Sequence, residues 1–179
     1  MKKLTVLFIA LVASATLVHA QVFNTSSTLK RGQFSVGVEP GLYINGASDF
    51  YLFLHGGVGI THNADFGLKL GVLGNTTYIG GDVEFNLAKI FSLSVGAHSW
   101  GDFGLDGTAL LTFPLTSGVK IYTGLDSDIV FANDVQVPLW IPIGLQIGMN
   151  KNMAFLFESE INITDVGSHF LGGGLSFFF

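Results

Sequence analysis

The sequence predicts an all-β chain folded as a closed antiparallel transmembrane β-barrel. Three observations carry that expectation. Charged residues are 12% of the chain and apolar ones 49%, with 24 glycines, and the charged share is about half that of an ordinary soluble domain. No run after residue 20 approaches the ~20 apolar residues a membrane-crossing helix needs. Apolar and polar residues instead alternate with period two, and the charges gather on one of the two faces. A chain that meets lipid must satisfy every backbone N–H and C=O internally, and without a helix only a closed barrel does so.

Taken from the start, "MKKLTVLFIALVASATLVHA" has two lysines, an apolar stretch from Leu4 to Val12, and small residues before Gln21. Residues 1–20 therefore read as a cleaved secretory signal peptide. The chain holds no cysteine, so an exported disulfide scaffold and thiolate chemistry are both closed to it, as is a lipoprotein anchor. The net charge is −5 and becomes more negative once Lys2 and Lys3 are removed, which argues against nucleic acid as a partner. Residues 21–32, with polar "NTSSTLKR", read as a lead-in. Residues 33–179 read as one barrel domain.

Ten segments follow, near 33–45, 49–61, 65–73, 77–87, 90–98, 103–113, 118–130, 134–149, 152–162 and 168–179. Most match the ~9–11 residues of a tilted spanning strand. The breaks between them carry turn residues, as in "INGASD", "THNAD", "PLTSG" and "MNKN". Eight or twelve strands also fit if one hairpin is split or merged differently. Alternation is cleanest in "DVQVPLWIPIGLQIGM". Val135, Val137, Leu139, Ile141, Ile143, Leu145, Ile147 and Met149 share one face; Gln136, Pro138, Trp140, Pro142, Gly144, Gln146 and Gly148 share the other. "FSLSVGAHS", "FGLKLGV" and "MAFLFESEIN" repeat it. The faces assigned outward hold no Lys, Arg, Asp or Glu. Those assigned inward hold Glu39, Lys69, Asp82, Glu84, Asp106, Lys120, Asp126, Asp128, Glu158 and Glu160. A soluble sandwich or a lipocalin-like barrel would have a polar exterior, so this segregation points to lipid outside and a polar lumen.

The chain ends "LGGGLSFFF". Gly174, Phe177 and Phe179 resemble the carboxyl-terminal signal of small outer-membrane β-barrel proteins of Gram-negative bacteria, although Gly172 stands where a polar residue is usual. The resemblance covers the whole mature chain through the signal peptide and the alternation. It implies insertion by the barrel assembly machinery, an outer-membrane location, and both termini on the periplasmic side. Outer-membrane lipid and lipopolysaccharide are then the surroundings. Asp49, Asp102, Asp134 and Asp165 would lie in or beside the external loops. Divalent ions could bridge them to lipopolysaccharide, or they could serve simply as turn formers.

Three readings of function stay open. The first is a passive small-solute or cation-attracting pore. Centring one turn on "LTSG" sets Thr112 against Lys120 and Asp106 against Asp126, and centring a loop on "FAND" sets Asp128 against Gln136. Asp106, Asp126 and Asp128 then gather with His98 nearby, while Glu158 and Glu160 extend the acidic lumen. Facing like charges are costly unless a proton, water or cation stands between them. The second reading is a structural barrel with a closed, hydrogen-bonded lumen. The third is a lateral route for small apolar molecules. Pro138 and Pro142 share parity and so remove N–H donors toward the same neighbouring strand, with Trp140 between them. An enzyme is not expected, because Ser94 lies four residues from His98 on the same strand, ~13 Å at the strand rise. No cofactor or metal is expected, since the histidines lack convergent ligand spacing.

Overall fold

Alternation dictates what each strand buries, and the strands close on themselves accordingly. The structure, a computed structural model, describes residues 27–179. The expected signal peptide and the first part of the lead-in lie outside the described residues. The strands are β1 (Phe34–Asn45), β2 (Ala47–Gly59), β3 (Ala64–Val72), β4 (Tyr78–Ala88), β5 (Phe91–Trp100), β6 (Asp102–Pro114), β7 (Val119–Phe131), β8 (Val135–Gln136), β9 (Leu139–Asn150), β10 (Met153–Asn162) and β11 (His169–Phe178). β8 and β9 both pair with β7 and form one interrupted stave, so the wall has ten. Each stave pairs antiparallel with its sequence neighbour, and β1 pairs with β11 to close the ring. No boundary departs from its sequence expectation by more than about two residues, within the reach of such readings. The interruption at Val137–Pro138 was not expected. Its physical reason is Pro138, which has no N–H to give the ladder.

The outward positions of these strands are apolar or small, with Val36, Leu54, Ile79, Val95, Leu105, Ile129, Ile143, Phe157 and Phe177 among the exposed side chains. Inward positions are buried and mixed: Glu39, Asp65, Glu84 and Ser92 are each 1% exposed, as are Phe53 and Tyr122. The core of this protein is therefore its lumen. Toward the mouth that carries the chain ends, Ala154 and Leu156 pack with Phe178. Toward the far mouth, Tyr51, Phe53 and Phe170 pack with Tyr43, Tyr78 and Trp100.

The last residue is anchored. Phe34 N–H donates to Phe179 O at 3.2 Å and Phe179 N–H donates to Phe34 O at 2.9 Å, so the terminal phenylalanine completes the closing seam while its ring faces outward. Pairing along that seam lapses between Val38↔Leu175 and Gly41↔Gly172. Pro40 sits in the lapse, yet its other side pairs without a break to β2. Its missing N–H thus falls on the β11 side.

Residues 27–33 fold into the mouth beside the termini rather than trailing from it. Leu29 is buried and its N–H donates to Asp65 Oδ2 at 2.6 Å. Gly32 N–H donates to Gly59 O at 2.8 Å, and Gly59 N–H to Gln33 O at 3.0 Å. Lys120 Nζ donates to Ser27 Oγ. Glycine is required at 59, where a Cβ would overlap Lys30 O.

Candidate functional site

The register of β4 to β7 builds the site. Asp82, Gly96, Asp106 and Asp128 stand in one inward row on four consecutive strands. Gly96 leaves space between two carboxyls, and Asp106 Oδ1 would lie 2.6 Å from a Cβ placed there. Beside this row, Thr108, Asp126, Trp140 and Asn162 form the next. Thr108 Oγ1 donates to Asp126 Oδ1. His98 reaches between strands, with Nδ1 3.5 Å from Asp106 Oδ2 and Nε2 3.7 Å from Asp128 Oδ2. Its ring stacks on Tyr78 at 5.4 Å between centroids.

These side chains line a cavity of about 90 Å³ in the far half of the lumen, with Asp106, Asp126, Asp128 and Glu160 as its acids and Tyr43, Tyr78, Trp100 and Trp140 as its aromatic faces. That volume admits several water-sized groups. The aromatic faces are held from behind: Trp100 Nε1–H donates to Tyr51 OH at 2.9 Å, and Trp140 Nε1–H donates to Ser168 O at 2.7 Å. Lys69 also lines the cavity. Its ammonium lies 5.4 Å from the Phe53 ring centroid, and among the described residues it has no carboxylate within ion-pair distance. No group of three His, Cys, Asp or Glu among the described residues is placed to hold a metal ion.

Below the cavity large lumen side chains are buried and paired. Tyr122 OH donates to Glu158 Oε2 at 2.6 Å, both side chains being buried. His55 Nε2 lies 2.7 Å from Glu39 Oε2, again with both buried. Leu110 and Leu156 join Tyr122 among the largest fully buried side chains.

Three sequence-derived pairings are corrected. Asp106 faces Asp128, not Asp126, and Lys120 faces Pro114, not Thr112. The turn is centred one residue later than expected, because Thr116 Oγ1 accepts from both Gly118 N–H and Val119 N–H and draws the bend toward them. In the next loop Gln136 faces Val130, not Asp128, because Ala132, Asn133 and Asp134 all remain outside the strands. Of the five acids expected to cluster, four line the cavity and Glu158 lies deeper, tied to Tyr122. Asp65 was absent from the expected inner set, although parity from Lys69 points it inward. Trp140 was expected inward between the two prolines, but Tyr43, Tyr78 and Trp100 were not singled out. Their signal was available, since Tyr43, Tyr78, Trp100 and Trp140 all occupy inward positions near the far ends of their strands.

The proline seam lies between β7 and β9. Pairing lapses there between Thr123↔Ile143 and Asp126↔Trp140, while β9 pairs with β10 through Pro142 and Ile141 without a break. Ser127 Oγ donates to Pro138 O at 3.2 Å and so braces the interruption. Pro40 gives the closing seam the same kind of lapse. Gly174 lies inward opposite that lapse and Phe177 outward near the terminus. The loop acids Asp49, Asp102, Asp134 and Asp165 are exposed at the far rim, and Asp49 Oδ1 accepts from Asn75 Nδ2 at 2.7 Å.

No protein-family model matches the chain, and no curated protein matches its sequence. Among solved structures, a de novo designed transmembrane β-barrel is similar at 12% identity and TM-score 0.48, over 86% of this chain and 100% of that one. Neisserial surface protein A is similar at 14% identity and TM-score 0.43, over 81% and 95%. The N-terminal β-barrel domain of Pseudomonas aeruginosa OprF is similar at 15% identity and TM-score 0.37, over 84% and 100%.

Proposed function

We propose that this chain is an integral outer-membrane barrel whose outward-facing half-lumen attracts and holds small cations. The observation that carries the reading is the cavity itself: Asp106, Asp126, Asp128 and Glu160 face one space, with His98 the only basic group of its wall in contact with any of them among the described residues. A ring of carboxylates at the mouth of a low-dielectric lumen sets a negative local potential. The apolar exterior supports a bilayer setting. The resemblance of the carboxyl terminus supports the outer membrane, with the chain ends on the periplasmic side. The buried side chains of Tyr122, Leu110 and Leu156 favour a cup closed below over a continuous water path.

Single-channel recording of the purified barrel in a planar bilayer separates cup from pore. Silence is the expected result, and cation-selective steps would replace the cup with a conducting path. Changing Asp106, Asp126 and Asp128 together to Asn should weaken cation binding at least about tenfold by calorimetry, since three of the four acidic groups become neutral amides. Unchanged binding in a folded triple variant would remove the reading.

A lateral apolar route is the second reading, favoured by the lapse at Pro142 and the break at Pro138. Replacing both prolines with Val should restore ladder bonds and add about 1 kcal/mol for each one recovered, read as a rise in unfolding midpoint. If the seam also passes apolar molecules, uptake of an apolar dye into the lumen should stop in the same variant. Equal hydrogen exchange on the two sides of β9 in the parent would leave the seam without a gate.

A further inference from the structure

The cavity's acids would suit many cations, but its other walls select among them. The geometry points to a small alkylammonium ion, an amine with N–H donors and a short carbon chain, as the occupant. This deepens the cation-cup reading and rests on it. Glu160 lines the cavity and receives no hydrogen bond from any described residue, so a sunken carboxyl group is aimed into the space without a donor. Among the described residues Asp128 has only the long approach of His98 at 3.7 Å. A primary ammonium brings up to three N–H donors to such acceptors. A chelated divalent metal instead needs several oxygens converging at about 2.0–2.6 Å, and no group of three among the described residues is so placed.

The remaining wall is aromatic on several sides. Tyr43 and Trp100 pack with centroids 4.6 Å apart, Tyr78 stands on the His98 ring, and Trp140 comes from β9. Aromatic faces attract cations through their quadrupoles and shelter alkyl carbon from water. A fully hydrated sodium or magnesium ion gains little from them. The two tryptophans of the chain are Trp100 and Trp140, and both line the cavity. Intrinsic fluorescence therefore reports directly on its occupant.

The test uses the full mature chain in detergent micelles, titrated at constant ionic strength with propylammonium, sodium, potassium and magnesium chlorides in turn. Propylammonium should give a saturable tryptophan response at a concentration at least tenfold below the inorganic ions. Glu160→Gln, close in shape to the parent, should weaken that response about tenfold while sodium changes less. Calorimetry provides a second reading independent of the fluorophores. Equal responses to propylammonium and to sodium or magnesium would overturn the ligand class and leave the cation cup standing. No binding of any cation by either method would overturn both. An unaltered propylammonium response in folded Glu160→Gln would overturn the placement of the ammonium.

Discussion

A Gly174→Val chain should fail to close its barrel. Gly174 on β11 points into the lumen where β1 crosses closest. A Cβ there would overlap Val38 O and lie 2.9 Å from Glu39 Cα. Both obstacles are backbone, which cannot swing aside as a flexible side chain would. The seam has little to spare, because Pro40 already interrupts its pairing at this level. Heat-dependent migration in a detergent gel measures the result: the compact band of the unheated parent should be lost. Gly107→Ala is the control, since its added carbon would meet nothing nearer than 3.9 Å, and it should migrate as the parent. A compact Gly174→Val band of parental stability would show that the seam is not closed as described. Phe179→Lys separates closure from recognition. The backbone bonds of residue 179 to Phe34 do not need the ring, so this variant should refold in detergent. If the terminal aromatic is read by the assembly machinery, it should fail only in cells.

Tyr122→Phe should destabilise the barrel by about 1–3 kcal/mol. The phenol is 1% exposed and Glu158 6% exposed, and the phenol donates to Glu158 Oε2 at 2.6 Å. Removing the hydroxyl leaves a buried carboxyl oxygen without that donor, which costs more than the bond contributed. Urea unfolding in lipid gives the difference directly. Adding Glu158→Leu should recover much of the loss, because the pair is then absent rather than broken. A Tyr122→Phe barrel within about 0.5 kcal/mol of the parent would mean that water reaches Glu158, and the buried pairing below the cavity would have to be given up.

The candidate site is partly legible in the sequence. Parity alone sends Asp106, Asp126, Asp128 and Glu160 inward, because a side chain two residues along a strand returns to the same face. It also puts Pro138 and Pro142 on one side of one stave. Parity cannot say how far each strand slides along the next. That slide is set at Thr116, whose hydroxyl collects two N–H groups and moves the β6–β7 register by two residues. The slide pairs Asp106 with Asp128 and leaves Asp126 to Thr108. Pro40 carries the same warning as Pro142, and its effect appears only where the first and last strands meet.

What the sequence determined by itself is the wall: its spanning strands, the alternation of their faces, and the polar lumen inside an apolar exterior. Those follow from a period of two and from the cost of charge in lipid, both of which are local or one-dimensional. What the tertiary structure decided is the content of the lumen. Whether inward side chains fill the bore, as Tyr122, Leu110 and Leu156 do, or leave a space, as over Gly96, depends on strands far apart in the chain. Tyr43, His98, Asp128, Trp140 and Glu160 come from five strands and share a cavity only because the ring closes and each register is set. Closure and register are properties of pairs of strands, so no strand read alone could contain them.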